Sequence, residues 1–422
     1  MSSETETESN HNKMQLACPW INSSLFEELL RKDFPASDII VHDYRLKPAL
    51  ARGENYASQM IRAEVNYSMN GENKQIRFII KAALAKDALK QLSDEMKGIF
   101  YTEIAMYNDV LTKVHDLLKA SGEKISFYGR CYASSRENAY LIFEDLTDRG
   151  FRNVDRRIGL DISHCKLVLS TLAKYHAATA VLVEKEPSLK KHFDQHGTVT
   201  GSDFIRKLVS NFLIAQAEFC KKQPGLEKLA EKFNIVKDTI YDRIAASCAR
   251  DDNDLNVILH GDVWSNNIMF KYGDNGEVED TVLVDFQICY YGPPVLDVTY
   301  CLYTSSHIDV SESDWDMLVQ YYYEELRSTL AKLNYQKKVP SLTEFNVQII
   351  LRGMYAASMG IITQSSRMLE NVSENGLADL IRDDKAEHRL NMLLNPKVIP
   401  TIIKLLKYFD RRGYYEGDDF QY

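Results

Sequence analysis

The apolar positions of LFEELL recur at helical spacing behind a polar Asn22-Ser23 pair, which predicts a capped helix beginning at one of those two residues. From Ile39 to about Leu84 the pattern changes. IIVHDYRLKPAL, MIRAEVNYSM and QIRFIIKAAL are short, apolar and β-branched, and Asn70-Gly71 marks a tight turn between the last two, so three strands are predicted. Residues 86–120 return to helical spacing, with Phe100, Ile104, Tyr107 and Leu111 on one face. A strand, NAYLIFEDL, follows at 138–146. Helices are then predicted over 163–184, 202–220, 226–249, 312–333, 343–370 and 376–393, interrupted by two short apolar strands, NVILHGDV and TVLVDFQI.

This order gives an α+β chain: a small β-rich lobe with one helix, then a larger, mostly helical lobe with a small embedded sheet element. Residues 1–14 are polar, acidic and aperiodic and read as a disordered tail. Residues 15–146 form the expected N-terminal lobe and 147–422 the C-terminal lobe. No internal repeat or low-complexity linker separates them, so one cooperative unit with a cleft is expected.

Composition narrows the function classes. The 422 residues are 45% hydrophobic and 26% charged, ordinary for a soluble globular enzyme. Acidic residues outnumber basic ones, 60 to 51, for a net charge of −9, which argues against a nucleic-acid or anionic-membrane partner and suits a monomer. Seven scattered cysteines, none in CxxC spacing, argue against a disulfide framework and a zinc cluster. The N-terminal MSSETETESNHNKM lacks the apolar segment of a signal peptide, so the cytoplasm is expected. VQIILRGMYAASMGIITQ at 347–364 is interrupted by Arg352 and reads as a buried helix rather than a membrane span.

Candidate chemistry sits at strand ends. ILHGDVWSNNIMFKY (258–272) places His260, Asp262 and Asn267 between two apolar stretches. An ordinary polar turn fits this pattern. So does a phosphoryl-transfer loop, in which a carboxylate orients and deprotonates the attacking hydroxyl and an amide oxygen five residues on holds Mg²⁺. TVLVDFQI puts Asp285 directly after a buried run, where a second carboxylate suits a hard cation and a strand-end turn former is the plainer alternative. Upstream, IRFIIKAAL carries Lys81, and FYTEIAMYNDVL carries Glu103, which could pair with Lys81 and hold it on nucleotide phosphates; alone, each reads equally well as a solvated surface group. In ARGENYASQMIR, Gly53 and the following Asn55, Tyr56, Ala57 and Ser58 could bring backbone N–H groups to phosphate oxygens, or form a simple hairpin turn. At the end of YLIFEDL, the backbone of Glu144, Asp145 and Leu146 could meet an adenine edge, or the two acids could merely solubilise a hinge.

Taken in order, RGENYASQMIR, FYTEIAMY, LIFEDLTDRGF, LAKYHAAT (172–179), HGDVWSNNIMF and VDFQICYYGPPVLDVTYCLY resemble the ecdysteroid kinase-like (CHK kinase-like) family of insects, relatives of choline kinases and aminoglycoside phosphotransferases. The resemblance implies a bilobal protein-kinase-like fold and an ATP- and Mg²⁺-dependent kinase acting on a small-molecule alcohol, an ecdysteroid or another steroid-like or xenobiotic one. It implies Asp262 as catalytic base, Asn267 and Asp285 as metal ligands, Lys81 as phosphate clamp with Glu103 as its partner, and His260 as a structural member of the catalytic loop. Asp297 would brace that loop through backbone hydrogen bonds, which is compatible with a helix-capping role. Tyr290, Tyr291, Tyr300, Tyr303 and Tyr321 to Tyr323 could line an apolar acceptor pocket, with at least half of them expected to be core.

Departures from the protein-kinase pattern point the same way. Gly261 replaces an arginine, Trp264 a cation near the transferred phosphate, and Gln287 a glycine. Two other functions stay open at this point: a catalytically inactive kinase-fold binding protein and, less favoured, a protein kinase.

Overall fold

The computed structural model describes residues 14, 18–35, 38–49, 58–82, 94–123, 125–194, 202–368 and 376–417, apart from the side chains of 94–97 and 376–378. The chain divides into two compact units, residues 1–107 with 128–151 and residues 108–127 with 152–422.

The first unit opens with α1 (Ser23–Asp33), whose cap is Asn22: its side chain accepts a hydrogen bond of 3.0 Å from the N–H of Leu25. Then come β1 (Ile39–Pro48), β2 (Gln59–Met69), β3 (Glu72–Ala82), α2 (Asp94–Ala105), a π turn (Met106–Val110), α3 (Leu111–Ala120, in the second unit), β4 (Cys131–Ser135) and β5 (Tyr140–Glu144). The five strands form one antiparallel sheet in the order β1-β2-β3-β5-β4. Asn70 and Gly71 both take positive φ (54° and 85°), the geometry a two-residue hairpin needs. Along β3, Phe78, Ile80 and Ala82 join the core that includes Phe26, Leu46 and Ile61. Strand alternation therefore sends Lys81 to the other face of the sheet.

The second unit adds α4 (Ile162–Lys185), α5 (Asp203–Lys221), α6 (Glu227–Val236), α7 (Ile240–Ser247), β6 (Val257–Leu259), β7 (Ile268–Tyr272), β8 (Val278–Leu283), β9 (Tyr290–Gly292), α8 (Val295–Ser305), α9 (Glu312–Lys332), α10 (Leu342–Ser366), α11 (Ala386–Leu393) and α12 (Ile399–Arg411). Two antiparallel pairs, β6 with β9 and β7 with β8, are embedded among the helices. Helix α4 is buried along most of its length and packs on α9, while α8 packs on α10. Among the described residues α10 alone is long and apolar enough to cross a membrane, and more than half of its apolar window is buried inside the protein. Its Arg352 is drawn to the carbonyls of Ser247 and Ala249.

Several elements differ from the sequence pattern. The helix expected over 86–120 is interrupted by the π turn, which lets Met106, Tyr107, Val110 and Leu111 all face inward. The helix expected over 226–249 is two helices around a turn at 237–239. Over 376–393 only α11 is α-helical; two 3₁₀ turns precede it, tied down by Arg389, which donates to the carbonyls of Leu380 and Arg382. Strands β4, β7 and β9 and helix α12 are additions to the expected set.

Candidate active site

In the first unit, Lys81 is 4% exposed and Glu103 1% exposed, and their side chains meet with Nζ 2.6 Å from Oε2. Lys81 sits in β3 between Met60 of β2 and Leu141 of β5, so its ammonium emerges from the middle of the sheet and reaches α2. A lysine and a glutamate this deep are stable only as a pair.

The end of β5 is strongly bonded. Glu144 accepts from Arg149 at 2.9 Å and from the N–H of Arg130 at 2.8 Å. Asp145 accepts from Arg62 Nε at 2.6 Å and from the hydroxyl of Thr147 at 2.7 Å. The carbonyls of Asp145 and Leu146 accept from the N–H groups of Asp148 and Phe151. Both acidic side chains, and the carbonyls of Asp145 and Leu146, are thus engaged by the protein itself. Ser58 lies just before β2, and Gly53, Asn55, Tyr56 and Ala57 lie outside the described residues.

In the second unit the loop 260–267 leaves β6 and enters β7. Asp297, fully buried near the start of α8, receives the N–H groups of His260 (2.7 Å) and Gly261 (2.9 Å) and Nε2 of His176 (3.0 Å). Gly261 has φ of +82°, and a Cβ there would lie 2.3 Å from the carbonyl oxygen of Ile288, so neither the arginine of protein kinases nor any other side chain fits without rearrangement. His260 is wholly buried. Its Nε2 lies 3.0 Å from the carbonyl of Val284, and its Nδ1 accepts from the N–H of Asp262 at 3.3 Å. Burial lowers its proton affinity, and this bonding pattern is that of a neutral ring fixing two loop segments.

Asp262 is the centre of the arrangement. One carboxylate oxygen accepts from the hydroxyl of Tyr300 at 2.7 Å, the other from Nδ2 of Asn267 at 2.8 Å. The second amide hydrogen of Asn267 reaches the Asp262 carbonyl at 3.0 Å. Both amide hydrogens are therefore spent, and the oxygen is the end of Asn267 left to face a ligand. Asp285 follows β8 in the left-handed conformation (φ 69°, ψ 58°), uncommon for a non-glycine residue. The Asp262 carboxyl is pushed up to about 7, first by removal from water; the bond from Tyr300 opposes this, the charge of Asp285 adds to it, and Asn267 and Asp297 make smaller contributions of opposite sign.

The sequence pattern gives no role to His176 and offers Tyr300 and Tyr322 only as possible pocket walls. His176 lies in LAKYHAAT, a histidine in the middle of a buried helix, and its Nδ1 is 2.7 Å from the hydroxyl of Tyr322. The other tyrosines are mainly core. Tyr303 packs against Trp315, Tyr408 and Phe409, and Tyr323 donates to the carbonyl of Pro340. Trp264 is half-buried and precedes a single 3₁₀ turn that carries Asn267. A cavity of about 760 Å³ also lies in this unit, lined among others by Arg152, Asn153, His164, Tyr272 and His307; none of the predicted site residues lines it.

The sequence profile of the ecdysteroid kinase-like family matches residues 52–335, which include Lys81, Glu103, Asp262, Asn267, Asp285 and Asp297. A 4-hydroxytryptamine kinase of Psilocybe cyanescens is 39% identical over 51 residues, 12% of this chain and 14% of that relative's length. Among solved structures, a spectinomycin phosphotransferase in complex with ADP and spectinomycin aligns over 92% of this chain and 99% of its own at 13% identity, with a TM-score of 0.44. An ethanolamine kinase of Plasmodium vivax aligns over 88% of this chain and 85% of its own at 12% identity, with a TM-score of 0.39.

Proposed function

This chain belongs to the ecdysteroid kinase-like family, and from that premise we propose that it is an ATP- and Mg²⁺-dependent phosphotransferase whose acceptor is a hydroxyl of an ecdysteroid or another steroid-like or xenobiotic alcohol. One observation carries this reading: Asp262 is a carboxylate held at both oxygens, withdrawn from water and set beside a second carboxylate. A carboxylate with its proton affinity lifted towards neutrality is suited to take the proton of an attacking alcohol.

Asn267 and Asp285 are assigned to the divalent ion. The donor set fits one: an amide oxygen and a carboxylate are hard ligands. When bound, such an ion neutralises phosphate charge and aligns the phosphates. Lys81, steadied by Glu103, is assigned to phosphate oxygens, as are the backbone groups of Gly53, Asn55, Tyr56, Ala57 and Ser58. The backbone of Glu144 to Leu146 is assigned to the adenine edge. His260 holds the loop and moves no proton. All seven cysteines are free thiols, which supports a reducing, cytoplasmic setting.

The test is incubation with γ-labelled ATP, Mg²⁺ and a panel of steroid and plant-derived alcohols. Label is expected on at least one alcohol, and its rate of transfer is expected to fall at least about a hundredfold in Asp262→Asn. No transfer to any acceptor, together with a nucleotide affinity indifferent to Asp285→Ala, overturns the reading.

A further inference from the structure

Helix α8 offers two side chains to the catalytic loop from positions one turn apart. Asp297 takes the backbone N–H groups at the start of the loop, as described above. Tyr300 reaches the Asp262 carboxylate itself, at 2.7 Å. The tyrosine ring is 5% exposed and stacked on Tyr355 of α10, with centroids 5.8 Å apart and an interplanar angle of 22°. Its hydroxyl is thereby delivered from a rigid wall.

A buried phenol hydroxyl needs a hydrogen-bond partner, and a backbone carbonyl is the common one. Tyr323, on the neighbouring helix, is satisfied in that way by Pro340. Tyr300 instead spends its only proton on the candidate base. The geometry at the carboxylate gives this bond a consequence. Tyr300 holds one oxygen and Asn267 the other, so the carboxyl group cannot turn about its Cβ–Cγ bond without breaking a hydrogen bond. Asn267 is also assigned to the metal and has a second task. Tyr300 has none that the structure shows.

We infer that Tyr300 is a positioning residue that fixes the rotation of the Asp262 carboxylate and so aims its open lone pair at the acceptor hydroxyl. The consequence for rate rests on the proposed kinase function; the hydrogen bond rests on geometry alone. A carboxylate released to rotate spends part of its time misdirected, and misplacement of a reacting group by about 1 Å costs on the order of 100-fold in rate.

The experiment is a double-mutant cycle of Tyr300→Phe and Asp262→Ala, read in two ways. In steady-state transfer, Tyr300→Phe is expected to lower kcat about ten- to hundredfold while KM for ATP and for the alcohol stay within about twofold. In the Asp262→Ala background the same change is expected to leave the residual rate unaltered. An equal loss in both backgrounds, or a change confined to KM, overturns the inference. The second reading is thermal melting of the same four proteins without nucleotide: Tyr300→Phe is expected to lower the melting temperature only where Asp262 is present. If the wild type phosphorylates no alcohol, the proposed function fails, and melting alone decides the positioning contact, equal shifts in both backgrounds overturning it.

Discussion

The two charged clusters of this protein are closed in different ways. In the first unit Lys81 and Glu103 neutralise one another across 2.6 Å. In the second unit three aspartates, Asp262, Asp285 and Asp297, share a small region. Asp297 is satisfied by N–H groups of His260, Gly261 and His176, and Asp262 by a phenol and an amide. Apart from the His176 ring those partners are dipoles, which satisfy lone pairs without removing charge. A closed ion pair keeps one lysine in a fixed place. An acidic cluster held by dipoles is ready for a cation, at a cost in stability while none is present.

The largest test of this contrast is Asp262→Asn. The amide keeps the shape and can still accept from Tyr300, but it takes no proton from an alcohol. Single-turnover phosphate transfer is expected to fall by about 10²- to 10⁴-fold with the fold intact by circular dichroism. The first cluster responds through stability instead. Lys81→Met leaves Glu103 buried without its cation, and chemical denaturation is expected to show a loss of about 3–5 kcal/mol. Adding Glu103→Leu to that variant is expected to restore most of it. A double variant as unstable as the single one breaks the picture of a self-contained pair.

The reason the first cluster is legible in the sequence lies in its strand. Alternation in IRFIIKAAL opposes Lys81 to Phe78 and Ile80, and the helical stripe of FYTEIAMY places Glu103 where it can answer. Asp262, Asn267 and Asp285 are legible for a related reason: each stands at a fixed offset from a short apolar strand. Tyr300 and His176 are not, because their roles depend on helix packing. Tyr300 is 38 residues from Asp262, and His176 is 121 from Asp297. In a chain with 24 tyrosines, a buried one reads as core until the partner of its hydroxyl is seen. The same limit applies to elements. Strand β4 is half-buried at every position and carries a register shift, so it shows no alternation to read. Helix α12 was within reach: Ile402, Leu405, Leu406 and Phe409 repeat at helical spacing behind Pro400.

A smaller effect sharpens the second half of the contrast. Mg²⁺ with a non-hydrolysable ATP analogue at about a hundredfold excess over Kd is expected to stabilise the protein by roughly 2.7 kcal/mol. Calorimetric melting with Asp285→Ala is expected to show most of that gain gone. An undiminished gain would detach Asp285 from the ion.

The last expected effect is the dependence of stability on pH in metal-free buffer. Asp262 titrates at about 7 in the folded protein against an ordinary 3.8. Between those values the folded state binds the proton and the unfolded state does not, so raising the pH draws protons from the folded form and stability falls. The contribution is complete below pH 3.8 and lost once the pH passes 7, with a slope of at most about 1.4 kcal/mol per pH unit between. Asp262→Asn cannot titrate, so its denaturation midpoint measured from pH 5 to 8 should lack this component. Lys81→Met lies in the closed cluster and should retain it. Saturating Mg²⁺ and nucleotide stabilise the ionised carboxylate and should flatten the wild-type slope towards that of Asp262→Asn. If wild type and Asp262→Asn share one slope without metal, the Asp262 carboxyl is not held protonated in the fold, and the acidic cluster is already balanced without a cation.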